Sequence, residues 1–329
     1  MKVLFSLNPV TTQGGGGVSF ARTLADALGA AGVPVSFDLE EPADVLLVFA
    51  HVGSERLMRR AKRAGTRIVQ RLDERIDPGE GRVRVRKHGH LLALNRFVDL
   101  TIFQSQFVRG NMGPWCVAPA SRVILNGVDP RVFHPGRPRM TLEGDPAVLH
   151  VSWSVGASKR LDRLGDLLTV APPGLRLHLV GRHADTHAAW LSDARVIVHG
   201  AKPRDDVATL MRSATFLFFP SELEPCPNTP IEAMASGLPA LYDPSGGTPE
   251  VLGDAGLAMS GSLAADVDRM VKSRDTLAAR ARARAPAFHA ERVVADYLAA
   301  FEAVLAAPPS PPPPRFDRLL EIVGLRARR

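Results

Sequence analysis

Two glutamates eight positions apart, Glu224 and Glu232, stand in the segment SELEPCPNTPIEAMASGLPAL at 221–241. An apolar run at 215–219 precedes it and reads as a short buried strand; a helix is expected to start near Thr229. Ligands of an open α/β sheet bind outside the carboxyl ends of its strands, where such loops and helix starts lie. That spacing can hold one carboxylate over a bound sugar and the other over a ribose. Glu232 has a second reading, because Thr229-Pro230-Ile231-Glu232 has the form of a capping box, with Pro230 at the first helical position. A glutamate so placed stabilises a helix start by about 1 kcal/mol without touching a ligand. Glu224 lies in the loop and has no capping role to explain it.

Cations and glycines occupy comparable places. Lys159 and Arg160 follow the expected strand at 147–151 through the loop SWSVGAS, at a helix start. A cation there can neutralise a diphosphate, or it can belong to an ordinary solvated basic pair. Arg182, just after the next strand, is a second cation on the same sheet edge. Gly14, Gly15, Gly16 and Gly17 lie between the first strand and the first helix, where backbone N–H groups can approach a phosphate. Their spacing does not match the dinucleotide fingerprint, which disfavours a dehydrogenase. His51, Arg71 and Asp73 fall at strand ends of the first half; a carboxylate such as Asp73 can receive an acceptor hydroxyl there. The basic run Arg82, Arg84, Arg86 and Lys87 has no interleaved aromatics, so it lacks the stacking platforms of a single-strand nucleic-acid binder.

Strand-like runs alternate with helical patterns along nearly the whole chain. Strands are expected at 2–7, 33–37, 45–49, 67–71, 101–103 and 122–124, with helices between them. Residues 133–146, rich in Pro, Gly and Arg, read as a linker, after which strands recur at 147–151, 175–180, 196–199, 215–219 and 239–242. Such alternation implies βαβ units and mainly parallel sheets. The expectation is an α/β chain of two doubly wound domains facing across a cleft: 1–140 on the acceptor side, 145–307 on the donor side with closing helices, and a tail at 308–329. That tail opens with a nearly pure proline run, an extended spacer. Beyond it, apolar residues at helical spacing alternate with arginines from Arg315 to Arg329. This pattern suits an anionic membrane surface, a partner-docking helix or a frayed end.

With 329 residues and 45% hydrophobic composition the chain can form two sizeable cores, and its net charge of +7 favours anionic partners. Its two cysteines, Cys116 and Cys226, show neither metal spacing nor a disulfide framework, so a cytoplasmic setting is expected, peripheral contact to the inner membrane face being one of the three readings of the tail.

These residues together resemble a known family. ELEPCPNTPIEAMASGLPAL closely resembles the E-x7-E segment of retaining glycosyltransferases of the GT-B fold, the family 4 class. The likeness extends to the Gly-rich first loop, TIFQS at 101–105, NGVDP at 126–130 followed by Phe133, the loop before Lys159, and SGGTPE at 245–250. It implies transfer of a sugar from a UDP-, GDP- or ADP-type donor to a hydroxyl with retention of configuration, without metal or cofactor. The acceptor is unidentified, an anionic or lipid-linked one being compatible, and no nucleic acid is expected. By position, Glu224 resembles the glutamate that reaches the donor sugar and Glu232 the one that holds the ribose. Lys159 looks like the diphosphate lysine, with Arg160 and Arg182 as further cations. Gly15, Gly16, Gly17, Asn228, Thr229, Gly246 and Gly247 resemble residues beside the donor, while Glu224, Asp73 and Lys159 are the catalytic candidates.

The chain departs from the family at two places. An arginine usually stands five positions before the lysine, where this chain has Ser154, and a histidine usually precedes the aspartate, where it has Leu72. Those departures favour one rival, a GT-B-like binding or scaffold protein without catalysis. A sugar-nucleotide epimerase of the same architecture is another.

Overall fold

The computed structural model describes residues 1–11, 15–76, 82–136 and 138–313. Gly14 and the tail at 314–329 lie outside the described residues, as do the side chains of the basic run at 82–87.

The first sheet is assembled from β1 (Val3–Phe5), α1 (Gly16–Ala30), β2 (Val35–Ser36), β3 (Val45–Phe49), α2 (Glu55–Arg63), β4 (Arg67–Leu72), α3 (Arg82–Asn95), β5 (Leu100–Phe103), α4 (Gln106–Met112) and β6 (Ser121–Val123). Its strands run parallel in the order β2-β1-β3-β4-β5-β6. β3 reads VLLVF and is buried throughout, as a strand covered on both faces must be. Ser54 and Ser105 cap α2 and α4 by accepting from Leu57 N and Val108 N, which fixes both helix starts on the sheet.

The second sheet follows from β7 (Ala147–Ser152), α5 (Asp162–Val170), β8 (Arg176–Gly181), β9 (Val196–Gly200), α6 (Arg204–Ser213), β10 (Phe216–Phe219), α7 (Asn228–Ala235), β11 (Ala240–Tyr242), α8 (Thr248–Leu252), β12 (Gly256–Ala258) and α9 (Leu263–Arg284). The order is β12-β11-β10-β7-β8-β9, again parallel. The expected α/β architecture of two doubly wound sheets is therefore present. Among the described residues of the linker at 133–146 no strand or helix falls.

The last helix, α10 (Ala290–Ala306), returns to the first sheet. Val293, Val294, Tyr297 and Phe301 are buried in one core with Val3, Phe5 and Phe49, so residues 145–307 do not pack as a single unit. The crossing is made by backbone: Val128 N donates to Phe288 O at 2.8 Å, and Ala290 N donates to Val128 O at 2.8 Å. The proline spacer stays with the first unit as well. Ser310 N donates to Asp99 Oδ1 at 3.0 Å and Arg59 Nη1 to Pro313 O at 3.2 Å.

Candidate functional site

The carboxyl ends of the two sheets face one another across a cleft of about 270 Å³. Gly15, Gly16, Gly17, Arg71, Asp73 and Asn126 line it from the first unit, and Trp153, Lys159, Glu224 and Asn228 from the second. Pockets of about 450, 540 and 280 Å³ lie elsewhere on the first unit and contain none of these groups. The smaller cleft is the chemically equipped one.

On its second wall, β10 delivers the chain into the loop that carries Glu224. Leu223 takes a left-handed conformation (φ 54°), and its N–H donates to Ser245 Oγ at 2.8 Å. Gly247 N donates to Glu224 O at 2.7 Å. A Cβ at Gly246, whose φ is +70°, would stand 2.6 Å from that same carbonyl oxygen. The two glycines thus lie behind Glu224 and hold its backbone, because only a residue without Cβ fits there. Lys159, at the end of a single helical turn after β7, donates from Nζ to Glu224 Oε1 at 2.6 Å. These side chains are 24% and 15% exposed, so the pair is sheltered and still reachable.

Glu232 does not form the expected capping box. α7 begins at Asn228 with Pro227 in the cap position and no side-chain cap, which makes Glu232 its fifth residue. From this first position of α7 the Asn228 side chain reaches across the cleft, where its Nδ2 donates to Gly16 O at 2.9 Å. Glu232 is partly buried on α7, and desolvation pushes its carboxyl up to about 7 against the opposing pull of Arg204. It does not line the 270 Å³ space.

The first wall is organised by a buried guanidinium. Arg71, at 1% exposure, lies over the Phe20 ring with 4.1 Å to the centroid. It donates to Asp73 Oδ2 at 2.8 Å, to Gln104 Oε1 at 2.8 Å and to Asn126 Oδ1 at 2.6 Å. A buried charge needs such partners, and here they orient the cleft-facing Asp73. Asn126 extends the network over the cleft, donating to Cys226 O and to Asn228 Oδ1, each at 2.8 Å. A hydrogen-bonded chain therefore runs Asp73–Arg71–Asn126–Asn228–Gly16 and crosses between the units twice. A Cβ on Gly17 would meet Asp73 Oδ2 at 3.3 Å, which explains a small residue there.

The cleft brings together Glu224, Lys159, Asp73, Gly15, Gly16, Gly17, Asn228 and Thr229 from the expected set. It does not include the two additional cations. Arg160 is held in a left-handed conformation (φ 47°) by Asp162 and Glu222, and Arg182 pairs with Asp185 at 2.7 Å. Neither lines the cleft beside Ser154. His51 lies 3.6 Å from Glu74, outside the cleft. Asn126, Gln104 and Trp153 were missed as individual residues. Asn126 was signalled by NGVDP, Gln104 by TIFQS and Trp153 by its loop.

No curated protein matches the chain. Residues 155–278, most of the second unit, match the family model described as Glycosyl transferases group 1. Solved structures match nearly the entire chain. Sucrose-phosphate synthase from Thermosynechococcus elongatus is 17% identical with a TM-score of 0.77, covering 93% of this chain and 99% of its own. HepE from Anabaena in complex with UDP-glucose is 18% identical with a TM-score of 0.73, covering 92% and 100%. A glycosyltransferase from Rickettsia africae is 13% identical with a TM-score of 0.69, covering 93% and 99%. The architecture is GT-B, and the part of the chain that carries Lys159 and Glu224 is similar to the glycosyl transferases group 1 domain.

Proposed function

We propose that the chain moves a sugar from a nucleoside diphosphate donor to an acceptor hydroxyl, with retention at the anomeric carbon. The observation that carries this reading is the Lys159–Glu224 pair at 2.6 Å, set on the family-matched wall and facing Gly15–Gly17 and Asp73 across the cleft. A diphosphate entering beside Lys159 would take its ammonium and release Glu224 to accept from a sugar hydroxyl. The Gly15–Gly17 backbone and the start of α1 would meet the phosphates from the other side. Charge developing on the departing phosphate is stabilised by Lys159 and by these backbone dipoles. Asp73, fixed by Arg71, receives the acceptor hydroxyl, and the departing phosphate oxygen takes its proton as the new bond forms on the same face. Glu232 lies deeper on α7 and would bind ribose hydroxyls. HepE is described in complex with UDP-glucose, which makes a UDP-hexose the first donor to try.

Ser154, with Arg160 and Arg182 both engaged elsewhere, favours one second reading, a GT-B-like binding protein without catalysis. Radiolabelled UDP-, GDP- and ADP-sugars separate the two. A transferase shows transfer or slow donor hydrolysis, and Lys159→Ala reduces that rate at least about a hundredfold, the scale of one lost charge-stabilising group. Binding of UDP with neither hydrolysis nor transfer would establish the binding protein instead. Proton NMR of the product anomer tests retention.

A further inference from the structure

Glu250 closes the motif SGGTPE, and its side chain leaves the second unit altogether. Its Oε2 accepts from Gln106 N and its Oε1 from Phe107 N, both at 2.7 Å. Both donors belong to α4 of the first unit. Ser105 already serves the next free N–H of that turn, Val108 N, at 3.1 Å. Each unit thus supplies part of one helix start.

The other end of α8 is anchored firmly in the second unit. Arg284 donates from Nε to Val251 O and from Nη2 to Glu250 O, each at 2.8 Å. Thr248, Val251 and Leu252 are buried there. Immediately before α8, Gly247 N holds Glu224 O at 2.7 Å. A single short element therefore joins the contact with α4 to the backbone that carries Glu224.

We propose that Glu250 is a positioning residue: it latches the two units together and, through the Gly246-Gly247 turn, fixes where Glu224 stands in the closed cleft. The latch stands on the contacts above, while the catalytic consequence rests on the reading of Glu224 as a donor-side group. Both carboxylate oxygens are used, on adjacent N–H groups. Glutamine retains one good acceptor and presents an amide where the second is needed, and alanine retains none.

The test uses Glu250→Gln and Glu250→Ala in the full chain, with melting temperature and circular dichroism confirming that each folds. Small-angle scattering reads the separation of the units. Calorimetry with UDP and steady-state kinetics with UDP-glucose read the cleft. Glu250→Ala is expected to enlarge the radius of gyration, raise the donor KM about tenfold and lower kcat, as loss of a charge-assisted contact would. Glu250→Gln should fall between it and the parent. An unchanged radius in both variants overturns the latch. A larger radius with donor KM and kcat unchanged overturns the link to Glu224. If the parent transfers from no nucleotide sugar, the glycosyl-transfer reading fails, and the scattering still decides the latch.

Discussion

Glu232 shows how one residue's chemistry follows from burial rather than from its place in a motif. The capping pattern at 229–232 was plain in the sequence, but the helix begins at Asn228 and leaves Glu232 with no end to cap. The contact Asn228 makes from the first position of that helix, with Gly16 O, joins residues 212 apart and was not visible in the sequence. Desolvation pushes the Glu232 carboxyl from 4.5 up to about 7. A raised carboxyl pKa means the native state holds a proton that the unfolded chain has released, so this group's favourable contribution is complete below about pH 4.5 and is lost as pH rises through 7. Glu232→Gln, which is neutral at every pH, should flatten the fall in melting temperature between pH 5 and 8. Ribose hydroxyls donate to an ionised carboxylate, so UDP binding at pH 7 should release about half a proton more from the parent than from the variant. Calorimetry in two buffers of different ionisation enthalpy reads that proton. Equal proton release in both proteins would remove Glu232 from the ribose site.

At the scale of elements, alternation placed the strands well, because a parallel strand buried on both faces must be apolar along its length. β3 keeps its expected bounds, and β4 and β7 extend theirs by one residue. The helix that follows α9 is a different case. The sequence reading placed it among the closing helices of the second unit, and periodicity cannot say against which sheet a helix packs. The Val128–His289 pairing, a contact between distant residues, stands at the start of α10, whose buried residues join the first core. Phe301 is fully buried in the first core. Phe301→Ala should therefore cost about 3–5 kcal/mol in urea unfolding, as a large cavity does. Hydrogen exchange locates the loss: protection should fall in β1, β3 and α1 and persist in β7 to β11. A fall confined to the second sheet would contradict the assignment of α10.

The two units are held in register by groups that line the same space as Lys159, Glu224 and Asp73. Asn126 touches Arg71, Cys226 and Asn228 at once, so the wall that orients Asp73 and the helix that carries Glu232 share a single side chain. NGVDP and the glutamate segment were both visible in the sequence. That Asn126 of one bonds Asn228 of the other was not, since their contact exists only once both sheets have formed. A closed cleft keeps water away from an activated donor while the acceptor is bound. Loosening this clasp should therefore change the fate of the donor as well as its affinity. Asn228→Ala removes the bonds to Asn126 and Gly16 while leaving Arg71 its partners, and Asn126→Ala also strips one from a buried guanidinium. The second should be the more destabilising, by about 1–3 kcal/mol. In a double-mutant cycle the two should couple by at least about 0.5 kcal/mol, as contacting residues do. With UDP-glucose, both variants should show a higher ratio of hydrolysis to transfer than the parent. If that ratio stays constant while transfer falls, the clasp sets geometry alone and water is excluded by another part of the cleft.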